Sequence, residues 1–270
     1  MTSLETKLDE LRLAGMRSRL ETVLAEAVRR NLSLAASLEW LADLELEERH
    51  RRSVERRFHQ SRLQVRTGID AFDFQHHKTR MGLKPRILRL LDLDFIAQGT
   101  NLVIIGNPGT GKTFLARIIA WKACQANYRV LFTSAMDMLN QLLASQIDHS
   151  LVRRLKVYTA PALLVCDEVG YLSLDQQTSN LFYQVISTRH AERRSTVLTT
   201  NTPFSDWGNI LYNTTIATAI ADRLVENSEV FLLGGESLRK AKKARPRDPK
   251  AGSEEAPPCD DNPDRRSPEG

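Results

Sequence analysis

The chain has 270 residues, 41% of them hydrophobic and 26% charged, which suits a globular protein of one large domain or two smaller ones. It holds no apolar run long enough to cross a bilayer and no signal-peptide core near Met1, so a cytoplasmic protein without a membrane partner is expected. The formal net charge of +5 is compatible with nucleic-acid binding without requiring it, and Cys124, Cys166 and Cys259 lie too far apart to imply a disulfide or a zinc site.

Residues 1–66 read as an all-helical N-terminal region. They contain no proline and one glycine, Gly15, and Leu4, Leu8, Leu11, Met16, Leu20, Val23, Leu24, Ala27 and Val28 recur at helical spacing. Asn31 to Ser33 interrupts the pattern, and a further helix runs from Ala35 into an arginine-rich stretch. Between Arg49 and Arg66 there are seven arginines against the single acid Glu55. Two readings fit: a phosphate-contacting surface in which Arg49, Arg52, Arg56 and Arg57 touch DNA, or a solvated helix face paired with the acidic run Glu45-Leu46-Glu47-Glu48. Residues 67–99 form a linker, with Phe72 and Phe74 docking on the core and Pro85 opening a short helix over Ile87–Leu93. The adjacent His76 and His77 do not suggest a metal site.

From Thr100 the pattern alternates strand and helix, which predicts a parallel five-stranded sheet with helices on both faces, an α/β fold. Strands are expected at 101–105, 129–133, 162–166, 195–200 and 229–233. The first ends in Gly106-Asn107-Pro108-Gly109-Thr110-Gly111-Lys112-Thr113, which fits the P-loop pattern G-x-x-x-x-G-K-[ST], and the helix opened by Lys112 continues through Phe114. The glycines let successive N–H groups face an anion, and the helix dipole reinforces them. Lys112 reaches the β- and γ-phosphates of ATP, and the Thr113 hydroxyl is placed for Mg²⁺. The third strand ends in Asp167-Glu168, a Walker B arrangement in which Asp167 holds Mg²⁺ and Glu168 is the base for the attacking water. Asn201, at the end of the fourth strand, is expected at the ligand crevice as an orienter of that water, or is a turn former before Thr202-Pro203. Arg223, on the helix before the fifth strand, either reaches a neighbouring subunit's nucleotide or pairs with Asp222 or Glu226. Arg239 is a candidate phosphate sensor. Residues 240–270 have the composition of a disordered tail.

These strings resemble the IstB family of insertion-sequence helper ATPases, and the chain is similar to the DnaC helicase loaders; both are AAA+ ATPases. The resemblance rests on the P-loop, on Asp167-Glu168-Val169-Gly170-Tyr171-Leu172, on Thr200 through Gly208, on Ala221-Asp222-Arg223-Leu224 and on Gly235-Glu236-Ser237-Leu238-Arg239. It implies an AAA+ ATPase domain over 100–239 that oligomerises with ATP on double-stranded DNA and stimulates a transposase. It also implies that Asn201 is sensor 1 and Arg223 the arginine acting in trans. Asn107, Phe114 and Leu238 depart from the family's usual residues, and the last weakens the assignment of Arg239. A helicase loader and an ATP-timed DNA scaffold are the competing expectations.

Overall fold

The computed structural model describes residues 3–171, 174–235 and 237; Arg239, Cys259 and the tail lie outside them. The N-terminal region folds as α1 (Ser3–Glu10), α2 (Ala14–Arg29) and α3 (Leu34–Ser61). Arg12, in the left-handed conformation at φ 57°, separates the first two, a break that the leucine spacing does not reveal. Ser33 caps α3 by accepting from the Ala36 N–H, so the interruption at Asn31 to Ser33 is a helix start.

At Gly15 α2 passes close to α3: a β-carbon there would stand 2.7 Å from the Leu44 carbonyl oxygen. The gap lets the buried Glu45 carboxylate accept from the Gly15 N–H at 2.7 Å and the Met16 N–H at 3.3 Å, serving donors that the first turn of α2 cannot satisfy. Burial pushes the Glu45 pKa up. The hydrogen bond from Arg49 and those from the two N–H groups outweigh it and leave the carboxyl below the usual carboxylate value. The sign follows from linkage: a carboxylate depressed in the folded state stabilises above its unfolded pKa, and that contribution disappears as pH falls through the folded pKa. Glu45→Ala is therefore expected to cost roughly 1.5–3 kcal/mol at neutral pH, the value of a hydrogen bond to a charged group. The deficit relative to wild type should shrink below about pH 4, which denaturant melts at several pH values will measure.

The helix at Lys78–Leu90 (α4) corrects the expectation for Pro85, which lies inside the helix rather than opening one over 87–93. His77 starts the helix by accepting from the Thr79 N–H at 3.2 Å. This cap and the burial of Ile87 and Leu90 in the core offset the missing N–H at Pro85. A short turn, α5 (Asp94–Ala97), leads into the sheet.

The remaining elements are β1 (Asn101–Gly106), α6 (Lys112–Gln125), β2 (Val130–Ser134), α7 (Ala135–Ile147), α8 (Leu151–Thr159), β3 (Leu163–Asp167), α9 (Gln176–Ala191), β4 (Ser195–Thr200), α10 (Thr214–Val225) and β5 (Ser228–Leu233). The sheet is parallel, in the order β2-β3-β4-β1-β5. Period-two alternation sends Leu102 and Ile104 to one face with α4, α5 and α6. Val103 goes to the other, with α7 to α10. The cysteines on the described residues, Cys124 and Cys166, are buried thiols; burial pushes Cys166 up to about 12.

The end of α3 belongs to the main core. Leu63 is part of the cluster on the α6 face, and Phe58 meets Trp121 edge-on at 5.5 Å. Arg66 covers both rings, 4.5 Å from Phe58 and 5.5 Å from Trp121, and pairs with Glu55 at 2.6 Å.

Arg189 is a structural anchor. It is buried, and no carboxylate pairs with it among the described residues. Its guanidinium instead donates to the carbonyls of Tyr158, Thr159, Pro161, Ala162 and Ser195. Burial pulls its pKa down to about 9, with the neighbouring Arg194 adding to the effect. One side chain thereby ties the end of α8 to the start of β4.

Candidate nucleotide site

The site grows from the end of β1. Gly106 passes so close to β5 that a β-carbon would collide with the Leu233 carbonyl. Gly109 and Gly111 have φ of 81° and 86°, the left-handed region in which glycine carries no steric cost. With these turns the chain folds back, and Thr110 donates from Oγ1 to the Asn107 carbonyl at 2.8 Å. Lys112, 8% exposed, closes the loop: Nζ donates to Gly106 O at 2.7 Å and to Asn107 O at 3.0 Å. A buried ammonium inside a loop of left-handed glycines suits an oligophosphate, whose oxygens can take over as its acceptors.

The two acids arrive from β3. Asp167 is the last residue of the strand, 6% exposed, and its Oδ1 accepts from Thr113 Oγ1 at 3.0 Å and from Thr199 Oγ1. Glu168 follows in the left-handed conformation, φ 63°, which is costly for a residue with a side chain. Its N–H donates to Thr199 Oγ1 at 2.9 Å. Thr199 thus holds both acidic residues, a role that sequence reading missed because it depends on β4 lying beside β3.

A cavity of about 810 Å³ opens over these groups and is lined by Pro108, Gly109, Gly111, Lys112, Thr113, Phe114, Asp167 and Glu168. Gly106, Asn107 and Thr110 shape the loop from behind. The linker supplies the opposite wall, with Phe72 stacked on Phe114 at 6.4 Å between centroids.

Arg80, also on the wall, is 1% exposed, and burial lowers its pKa. Its guanidinium lies 5.2 Å from the Phe72 ring and donates to the Thr110 carbonyl and, at 2.9 Å, to the Asp73 carbonyl. It holds the P-loop against the linker. No motif marks it, because 67–99 reads as a connector. Ser237 abuts Gly109, so the segment after β5 also reaches the loop.

Two candidates stand elsewhere. Asn201 is outside the cavity lining, its Oδ1 pressed against Gly170 and 3.4 Å from Thr202 Oγ1. Arg223 is also away from its own chain's cavity. Nη1 donates to Ala219 O at 2.8 Å and the guanidinium lies 4.8 Å from the Tyr183 ring. Among the described residues no ion pair joins it to Asp222 or Glu226; Glu226 meets His190 at 2.8 Å instead.

The arginine stretch divides. Helical spacing sets Arg49 over Glu45 at 2.8 Å, and Arg51 and Arg52 over Glu48 at 2.7 and 2.6 Å, as the paired-face reading expects. Arg56 and Arg57 have no ion pair among the described residues.

Comparison with known proteins places this geometry. The profile of the IstB-like ATP-binding protein family matches residues 6–246. The chain belongs to the IstB-like ATP-binding protein family. It is 36% identical over 229 residues to an insertion sequence IS5376 protein of Geobacillus stearothermophilus described as ATP-binding, covering 85% of this chain and 90% of that one. An insertion sequence IS21 protein of Pseudomonas aeruginosa with the same description is 32% identical over 246 residues, 91% of each chain. Among solved structures, the DnaC helicase loader superposes with a TM-score of 0.54 at 20% identity, over 62% of this chain and 96% of that one. DnaA from Aquifex aeolicus, solved with AMPPCP, gives 0.51 at 19% identity, over 64% and 51%. These likenesses establish that the chain shares the fold of the DnaC and DnaA structures. Membership makes this an ATP-binding protein, and no described helix is long and apolar enough to cross a membrane.

Proposed function

We propose that this family member is an ATP-hydrolysing, DNA-binding helper of an insertion-sequence transposase, assembling on duplex DNA as a homo-oligomer. The observation that carries the reading is the convergence of Lys112, Thr113, Asp167 and Glu168 on one cavity in a chain whose relatives belong to insertion sequences. Residues 100–239 bind and hydrolyse ATP, and the helical residues 1–66 contact DNA and partners.

Thr113 Oγ1 and Asp167 Oδ1 are the groups that would hold Mg²⁺. They lie 3.0 Å apart, one a neutral oxygen donor and the other a carboxylate, a set suited to a hard cation. The ion would offset phosphate charge. Lys112 binds the phosphates, and Glu168 takes the proton of the attacking water. Asn201 orients that water after leaving its contact with Gly170. Arg223 acts on a neighbour's nucleotide, a role supported by its distance from its own cavity and by the absence of a carboxylate partner among the described residues.

ATP turnover tests the reading, measured alone, with single strands and with duplex DNA, for wild type and for a mixture of Glu168→Gln with Arg223→Ala. Duplex is expected to stimulate wild type most. Each variant alone should be inactive, and the mixture should regain turnover at junctions that pair an intact Glu168 with a neighbour's intact Arg223. Stimulation by single strands only would favour a helicase loader. Turnover indifferent to DNA would favour a scaffold. Mixed assemblies that form without regaining activity would refute action in trans.

A further inference from the structure

At the pole of the sheet opposite the P-loop, where the strands begin, lies a second and shallower groove of about 400 Å³. Four arginines line it. Arg57 comes from α3, Arg129 from the residue before β2, and Arg193 and Arg194 from the turn before β4. No carboxylate among the described residues lines the groove. Arg194 is held by Glu192 at 2.8 Å and by the carbonyls of Thr159 and Ala160, whereas Arg57, Arg129 and Arg193 have no ion pair among the described residues. Arg129 and Arg193 are exposed, and the Arg57 Nε is buried with no hydrogen-bond partner. Behind the Ala160–Ala162 wall, the buried Arg189 guanidinium adds a further positive charge, and it shares the Thr159 carbonyl with Arg194.

Such a charge concentration attracts anions. Guanidinium groups suit phosphate in both shape and charge, because each presents a planar fork of donors. The groove is too open to enclose a small ligand, so it offers a track rather than a pocket.

We infer that this groove, built jointly by Arg57 of α3 and Arg129, Arg193 and Arg194 of the ATPase sheet, is a contact surface for the phosphate backbone of duplex DNA. The inference rests on the DNA-binding reading above and relocates its surface. The contact lies where α3 meets the start of the sheet, and not along the Arg49 and Arg52 face, whose charges are already paired. Remote from the P-loop, the groove can engage DNA without obstructing the nucleotide.

The test is fluorescence anisotropy of a labelled duplex with the full chain and ATP, over a salt series. Wild type is compared with Arg129→Ala/Arg193→Ala and with Arg129→Glu/Arg193→Glu, positions that spare the core contacts of Arg57. ATP affinity should stay at the wild-type value in both, showing that the fold and the other pole are intact. Duplex affinity is expected to fall on the order of tenfold in the alanine variant and further in the glutamate variant. The slope of log affinity against log salt should become shallower by about 0.9 for each phosphate that is no longer neutralised. If wild type binds duplex and both variants match it in affinity and slope, the groove is not the DNA surface, while the DNA-binding reading stands. If wild type itself does not bind duplex, both fall. If the variants keep duplex binding but lose the transposase, the arginines serve an acidic protein surface and the inference is overturned.

Discussion

Lys112→Ala is expected to abolish tight ATP binding. Lys112 is 8% exposed, and its ammonium satisfies two loop carbonyls, Gly106 O at 2.7 Å and Asn107 O at 3.0 Å. Bound phosphates need the same cation. Two charge-assisted hydrogen bonds, at about 1.5–3 kcal/mol each, set the loss at roughly a hundredfold or more in affinity. Removing the side chain also leaves the two carbonyls without their donor, at a cost of about 1–3 kcal/mol unless water enters. Equilibrium nucleotide binding should therefore be read beside a thermal melt without nucleotide. A folded variant that binds ATP as wild type does would show that the loop glycines and helix dipole hold the phosphates unaided.

Glu168→Gln is expected to keep ATP and stop turning it over. The amide preserves the shape of the side chain, so the left-handed turn at φ 63° and the bond from the Glu168 N–H to Thr199 at 2.9 Å should persist. What disappears is the capacity to accept a proton from water. General-base catalysis is worth about 10²–10⁴-fold, and turnover should fall by that much while ATP affinity stays within a few fold. Single-turnover phosphate release, with binding measured on the same preparation, separates the two quantities. Hydrolysis at the wild-type rate would remove Glu168 from the base role and direct attention to the other groups on the cavity wall. The two variants should thus fail differently: the lysine variant at binding, the glutamate variant at chemistry.

The parts legible in the sequence share one property. Each depends on residues adjacent along the chain. The P-loop conformation follows from glycines at fixed offsets. The position of Lys112 follows from its place at the first residue of α6. Asp167 and Glu168 sit at the mouth of the crevice because an apolar strand ends where they begin, and parallel strands end together. Alternating strand and helix signals sufficed for the parallel sheet, since a helix is the usual way to return the chain over its face to the next parallel strand. Even the pairing of Arg49 and Arg52 was open to reading, because i, i+4 neighbours meet on any helix.

What the tertiary structure decided lies between residues far apart in the chain. Thr199 supports Asp167 and Glu168 because β4 lies beside β3. Arg80 reaches the Thr110 carbonyl because the linker folds over the P-loop. Arg57 meets Arg129, Arg193 and Arg194 because α3 ends against α6, near where β2 and β4 begin. Pro85 stays within its helix because packing of Ile87 and Leu90, not local preference, determines where α4 ends. A strand order of β2-β3-β4-β1-β5 brings residues many tens of positions apart to one pole of the sheet. That order is selected by the burial of whole faces against helices, a sum over the entire core that no short-range pattern encodes.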